Sequence, residues 1–547
     1  MQTKIKLRFS VVISLILIFS LALSACSGGG NGNNASPEAS NTANTGNEGS
    51  ASGGEAEQPS NEPIEMKMMG FKHPIQGPWE EMVFFEEMEK KTNIKFTFDT
   101  PPAEGFEEKK NLAFASGEVP DVFFGANLTQ GEEVKYGSQG VLIPLEDLIE
   151  KHAPNIRAMF DEMPDVKQSI TAPDGHIYAL PNVNKASIAV TSATWVNGDW
   201  MKNLNIEKLP QTIDELYELL RNFKDNDANQ NGQADEIPLG AHDKAREFRT
   251  SIMPAFGVLS REASVDDAGK VSFGALSEGY KAYLQFMNRL WTDKLMDSAT
   301  FTEGFTEMSA KGKAGKLGSF LHAGPFLAYD VKTPEDNLKY PALPALTSPQ
   351  NSTKMYPIGT GIVRGVFAIT SRNPDPVRTI QWADYLYSLE GSIFIHYGFE
   401  GDLWEFSDKE KGLRKYKTPE NGMNTEEYRG TLTPDVGTAT PKWVRAEVER
   451  GWDDAGHEHR FKQTEDQLSP YAKVPFPLTY FTAEEQDRID AIATDLTTYL
   501  DSMEAKFITG QESFDNWSKY TDTINKMNIE EYVGIYQAAY DRWKVAN

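Results

Sequence analysis

Cysteine is almost missing from this chain: Cys26 is the one such residue in 547. A single cysteine forms no intrachain disulfide, so its value must lie in its own thiol. Thiolate-rich metal sites and iron–sulfur clusters are excluded for the same reason. Positive charge is also scarce, with 54 Lys and Arg against 80 Asp and Glu and a formal net charge of −26. No basic cluster of any length occurs, which argues against nucleic acid and anionic membrane surfaces as partners. The acidity itself needs no more than solubility to explain it. Past the first 25 residues there is no apolar run of the ~20 residues that a membrane-spanning helix needs.

Catalytic signatures are lacking too. There is no Gly-x-Ser-x-Gly, His-Glu-x-x-His or Gly-x-Gly-x-x-Gly, and no phosphate loop. His457-Glu458-His459 could set two imidazoles on one side of a strand, but no third ligand is visible, and exposed histidines are the better reading. Adjacent acids such as Glu80/Glu81 and Glu107/Glu108 read as solvated faces rather than as the spaced carboxylates of glycoside hydrolysis. No catalytic residue is assigned.

What is present begins with the leader. Lys4, Lys6 and Arg8 precede an apolar run from Val11 to Leu23, and Leu23-Ser24-Ala25-Cys26 closes it. Basic start, apolar middle and small residues before a cut make a secretory signal. With Cys26 next, the segment resembles a bacterial lipobox. It predicts a lipoprotein signal peptide over 1–25 and acylation (palmitate) of Cys26 at the new N-terminus. Ser27 to Pro63 is rich in Gly, Asn, Ser, Ala and Glu and has no large apolar residue. Such a tract buries too little to offset its ordering entropy, so 26–63 reads as a lipid-anchored disordered linker. As a coil its 37 residues from Ser27 would reach roughly 30–37 Å.

About 484 residues remain, more than one core usually supports, so two lobes are expected. Ile64–Met69 alternates as a strand, Pro78–Lys91 reads as a helix and Ile94–Phe98 as a second strand. Phe106–Ser116 reads as a helix stopped by Gly117, and Pro120–Phe124 as a short buried strand. Strand–helix alternation of this kind builds a parallel sheet covered by helices, an α/β fold. Further on, Thr212 and Thr482 each start a helix with a Thr-x-x-Glu capping box. The second helix carries Ile489, Ile492, Leu496, Leu500 and Met503 on one face and stops before Gly510. Asp375–Leu389 reads as one helix, and Val366–Ile369 as a strand.

One segment carries strong chemistry. From Asp227, side-chain oxygens recur at positions 1, 3, 5 and 9 (Asp227, Asn229, Asn231, Asp235), with Gly232 at position 6. Calcium takes 6–8 oxygens, and alternate residues of a loop provide them. Gln233 would give its backbone carbonyl. Pro238 stands at position 12, where a Glu is usual, and Glu236 at position 10 could take that part. A register from Asp225 fails because it puts Gln230 where glycine is needed. The role expected of Ca2+ is structural, since no nucleophile or open position adjoins the loop.

Tryptophans are frequent near expected loops: Trp79, Trp195, Trp200, Trp291, Trp404 and Trp443. Any one is more readily a core residue. As a set, some should line a cleft, where aromatic planes stack on the C–H faces of sugars.

Several segments together resemble a known family. These are Ala115-Ser116-Gly117 with Pro120-Asp121, Asp174-Gly175-His176-Ile177-Tyr178-Ala179-Leu180-Pro181, and Asp199-Trp200-Met201 followed by Pro210-Gln211-Thr212 and Asp214-Glu215-Leu216. Tyr385-Leu386-Tyr387-Ser388-Leu389-Glu390-Gly391, Tyr397-Gly398-Phe399-Glu400-Gly401 and Phe507-Ile508-Thr509-Gly510 continue the order. The chain resembles the family-1 extracellular solute-binding proteins of ABC importers, in the branch of the alginate-oligosaccharide-binding proteins.

The resemblance implies a two-lobed periplasmic-binding-protein-like fold with a hinge (type II, cluster D-like). It implies an N-terminal lobe of 64–190 plus 365–430 and a C-terminal lobe of 191–364 plus 431–547. It implies calcium at Asp227, Asn229, Asn231, Gln233, Asp235 and Glu236, and no enzymatic activity. The expected function is a monomeric, lipid-anchored receptor on the extracellular face of the cell membrane. It would capture an oligosaccharide for an ABC permease and touch the membrane through its lipid alone. Trp79, Phe124, Trp195, Trp200, Trp291 and Trp404 are the expected cleft residues. The rival readings are an exported polysaccharide-degrading enzyme and a receptor for peptides or another small solute. The acidic balance favours a neutral glycan over a polyuronate unless arginines cluster locally.

Overall fold

Alternation in Ile64–Met69 sets the first strand: Met66 and Met68 point into a core while Glu65 and Lys67 face solvent. That strand pairs in parallel with Ile94–Asp99 and with Val122–Phe124. The helix between the first two, Val83–Thr92, buries Phe84, Phe85 and Met88 and ends on Asn93 in the left-handed region. The next helix, Ala103–Ser116, ends on Gly117 at φ 72°, a value glycine adopts without a Cβ clash. Ile362–Ile369 then enters antiparallel between Val122–Phe124 and Leu180–Asn184. Lys442–Val444 closes the edge, parallel to Leu180–Asn184, and completes a six-stranded sheet.

In the computed structural model the described residues are 62–186, 192–419, 422–423 and 425–545. The expected signal peptide, Cys26 and the linker lie outside them.

Two large cores form. The first gathers Phe84, Val122, Phe124, Leu180, Phe367 and Trp382 around the six-stranded sheet. The second gathers Trp200, Phe223, Tyr280 and Leu284 with Leu496 and Phe507 of the long helix Ala483–Thr509. All five apolar residues expected on one face of that helix are buried there. Beside it, Ala193–Val196 pairs antiparallel with Ser319–His322. Between the cores the chain crosses more than once. Tyr356–Pro357, leading into the Ile362–Ile369 strand, pairs in parallel with Ala472–Lys473, which leads towards the long helix.

Some expected elements are corrected. Pro78–Lys91 is a short turn of 3-10 helix, Trp79–Glu81, and a separate α-helix, because Met82 is extended (φ −76°, ψ 128°). Asp375–Leu389 ends at Leu386. Ser388 then caps a second helix, Leu389–Tyr397, by accepting from the Gly391 amide at 2.9 Å. His457 and His459 lie on a helix, Ala455–Gln467, capped by Asp454, and not on a strand. Lys442–Val444, inside the span 431–547, is a strand of the first sheet because its backbone completes the edge of Leu180–Asn184. The Thr482 capping box is complete, whereas Glu215 reaches back to the Gln211 amide.

Candidate functional site: an aromatic cleft and an oxygen-rich loop

The cleft is built from short, separate pieces. The hairpin Trp404–Asp408 and Leu413–Tyr416 runs antiparallel, with Trp404 opposite Tyr416. Arg414 pairs along the backbone with Trp452 and buries its guanidinium, which donates to the carbonyls of Glu447, Val448 and Gly451. This anchors Trp452 in a small core with Tyr397, Leu403 and Val448. Tyr416 then stacks on Trp452 at 4.1 Å and 13°, while Tyr397 meets Trp452 edge-on at 4.7 Å.

A cavity of about 480 Å³ opens beside Tyr416 and Trp452. The turn Pro325–Leu327 and the segment Pro334–Lys339, both on the chain between Ser319–His322 and Tyr356–Pro357, also line it. Phe326 is 47 % exposed and Tyr416 45 %, so each offers a ring face to solvent. Polar groups share the lining: Arg429, Glu449, Asp454, His457 and Arg460 among them.

Behind one wall sits a buried ionic group. Asp435 contacts Lys442, His396 and Thr440, and Arg429 Nη1 lies 3.6 Å from its Oδ2. Burial opposes the charge on Asp435, but Lys442 and His396 outweigh it and hold the carboxyl well below the usual carboxylate range. Burial, with Lys442 adding to it, lowers His396 below its ordinary value against the pull of Asp435. On the floor, burial likewise lowers His457, whose ring nitrogen Nδ1 lies 3.0 Å from Arg460. No group in the cleft is arranged as a nucleophile beside a base. The arrangement can hold a polyhydroxylated solute by stacking and hydrogen bonds.

The oxygen-rich loop turns as its spacing requires. Asp227 accepts from the amides of Asn231 and Gly232, at 2.9 Å each. Asn229 and Asn231 both donate to Asp235 Oδ1, at 3.0 and 2.9 Å. Gly232 has φ 76°. Asp235 is also met by Lys316 at 3.0 Å; Asn231 first, then Asn229 and Lys316, lower its proton affinity. Oε1 of Glu236 is buried with no hydrogen-bond partner. Converging side-chain oxygens and an orphaned carboxylate oxygen fit a hard cation. Among the described residues no group of three or more His, Cys, Asp or Glu forms a metal site, and this loop mixes Asp with Asn.

The six aromatics expected in the cleft lie elsewhere. Trp79 and Phe124 are fully buried in the first core, edge to face at 5.6 Å. Trp195 is fully buried and donates to the His322 carbonyl; Trp200 is buried edge-on against Phe223. Trp291 is half-buried beside Phe301. Trp404 is 6 % exposed, donates to the Gly398 carbonyl and supports the platform from behind. None of the six lines the cavity. Large rings close to expected loops were drawn into cores because each has the most apolar area to bury. Tyr416 and Trp452 were missed. The signal available for Tyr416 was the alternation of the hairpin 404–416; no local pattern marks Trp452.

Two α/β cores joined by several chain crossings define the two-lobed fold of a solute-binding protein. The family model for the bacterial extracellular solute-binding protein matches residues 73–392, and the chain belongs to that family. A fructooligosaccharide ABC transporter substrate-binding protein from Streptococcus pneumoniae, FusA, is 29 % identical over 505 residues, 89 % of this chain and 92 % of that protein. The solved structure of FusA with kestose aligns at TM-score 0.72 and 26 % identity, over 88 % of this chain and all of that one. A FusA EF-hand mutant with fructo-nystose aligns equally well. A solute-binding protein from Bifidobacterium longum infantis, described as HMO-binding, shares the fold at TM-score 0.74 and 19 % identity, over 88 % of this chain and 99 % of that one. These relatives are binding proteins, and this chain is a binding protein rather than an enzyme.

Proposed function

We propose that this protein captures an oligosaccharide and delivers it to an ABC importer. The observation that carries the reading is the cleft itself. An exposed ring, Tyr416, is held on Trp452 and lines the cavity together with an exposed Phe326 and mixed donors and acceptors. Sugar rings present apolar C–H faces and polar edges, which matches that mixture. The resemblance to FusA supports the same class of solute. Closure of two lobes over the solute would give the permease a state to recognise, and the bound ligand shifts the population by its greater affinity for the closed form. The lobes would be 64–190 with 365–430 and 191–364 with 431–547, except that the strand Lys442–Val444 moves with the first sheet. Trp79, Phe124, Trp195, Trp200, Trp291 and Trp404 serve this function as core and support.

Cys26 would carry the lipid that holds the protein at the extracellular face of the membrane. The loop would hold one Ca2+ through Asp227, Asn229, Asn231, Asp235 and Glu236 and the Gln233 carbonyl. Its part is to fix the loop between the helix Ile213–Asp225 and the second core. Calorimetry of the full chain against oligosaccharide and peptide panels tests the reading. Stoichiometric binding of a sugar recovered unaltered supports it. Binding of peptides alone, or recovery of a shortened sugar, refutes it.

A further inference from the structure

Each exposed aromatic could be incidental, but the platform under Tyr416 is built. Arg414 is 2 % exposed and lies 5.0 Å from the Trp452 ring centre, and Tyr416 stacks on that ring at 4.1 Å. Trp452, tied down beside the buried Arg414, thus holds Tyr416 nearly parallel to it, and both rings line the cavity. Such an arrangement lowers the ordering cost of a contact before the ligand arrives.

The charges around it are balanced. Lys332, Arg429 and Arg460 line the cavity with Glu426, Glu449 and Asp454. Arginines do cluster here: Arg429 is engaged, whereas Arg460 keeps a buried Nε without a hydrogen-bond partner. Arg429 pairs with Glu426 at 2.6 Å and donates to the His396 carbonyl, with Asp435 behind it. Lys332 pairs with Asp330 at 3.1 Å. Arg460 Nη2 lies 3.0 Å from His457 Nδ1, and the Glu449 and Asp454 carboxylates act on it through space, against its burial. A carboxylate entering this cleft would find no net positive field and would add to a chain of net charge −26. A hydroxyl would find donors and acceptors side by side.

We propose that the outer face of Tyr416 is the stacking subsite for one ring of an uncharged oligosaccharide, with Trp452 and Arg414 as positioning residues. This rests on the oligosaccharide reading above and names the residue and the charge class that reading leaves open.

The test uses the full chain and four probes: kestose, maltotriose, xylotriose and trigalacturonate. Calorimetry gives affinities, and Trp452 beneath the platform gives a fluorescence signal. The expected result is binding of at least one neutral trisaccharide and none of trigalacturonate. Tyr416→Ala should weaken that binding about tenfold or more, whereas Tyr416→Phe should stay within about threefold, because it keeps the ring. Tyr416→Phe should leave the melting temperature unchanged, and Tyr416→Ala, which loses the stack on Trp452, should lower it slightly without unfolding the protein at the assay temperature. Preference for trigalacturonate overturns the charge class while leaving the oligosaccharide reading intact. Neutral binding that is indifferent to Tyr416→Ala overturns the subsite. Failure of all four probes beside binding of a peptide overturns both readings together.

Discussion

Glu133 offers the sharpest test of how the body is held together. It sits on the helix Gln130–Ser138, fully buried, with Oε2 accepting from the Tyr480 hydroxyl at 2.6 Å and Oε1 without a partner. Tyr480 precedes the long helix of the second core, so the contact ties that segment to the first. Arg364 stacks on the far side of the Tyr480 ring at 4.2 Å, and Glu132 is the neighbouring acid. Burial raises the Glu133 carboxyl from 4.5 to about 7, against the pull of Tyr480 and Arg364. Because the folded value lies above the unfolded one, folding takes up a proton between those pH values. Stability from this group is present below about pH 4.5 and is lost as pH rises through about 7. At about 1.4 kcal/mol per pH unit, the loss is roughly 3 kcal/mol. For a body of this length that corresponds to about 3 °C in melting temperature. Glu133→Gln removes the titration while leaving an oxygen for Tyr480. The difference in melting temperature between native protein and Glu133→Gln should therefore drift by a few degrees between pH 4.5 and 8, in favour of the variant at the high end. Parallel curves across that range would refute the buried-acid account.

Four further outcomes are expected. A chelator should lower the melting temperature and leave far-ultraviolet circular dichroism largely intact; added calcium should restore it, and Asp227→Ala should abolish the response. Cys26→Ser should move the protein from the membrane fraction into the medium, measured by fractionation of the native host. At Gly391 a Cβ would lie 1.9 Å from the Tyr385 carbonyl oxygen, so Gly391→Ala should cost at least about 1–3 kcal/mol in chemical denaturation. At Gly105, in a helix with nothing within 4 Å, alanine should instead stabilise by about 0.5–1 kcal/mol.

Much of the first sheet was legible because local patterns suffice there. Ile64–Met69 and Ile94–Asp99 alternate, and Gly117 ends a helix for a reason visible in one residue type. The long helix from Ala483 could be read for the same reason, from its cap, its apolar face and Gly510. Where the expectation slipped, a tertiary demand overrode a local one. The helical period of 78–91 ignores that Trp79 must be buried against Phe85 and Phe124, which forces Met82 into an extended turn. The strand Lys442–Val444 has three residues, too few for any pattern, and owes its existence to the open edge of Leu180–Asn184.

The two candidate sites differ in legibility for a physical reason. A calcium loop is local: its oxygens come from one stretch of ten residues, so spacing alone exposes it. The cleft is assembled from Phe326, Tyr416, Arg429, Trp452 and Arg460, spread over more than a hundred positions, and no spacing records their convergence. Ring size points the wrong way as well, since the hydrophobic effect draws the largest aromatics inward wherever a core can take them. Tyr416 is exposed and yet held, by its stack on Trp452, which Arg414 backs. What marks a ligand-facing ring is therefore its support from behind, which belongs to the fold and not to the residue. Trp404, paired with Tyr416 across the hairpin and buried in the small core that holds Trp452, links the hairpin to that core, so a substitution that loosens the hairpin should disturb both.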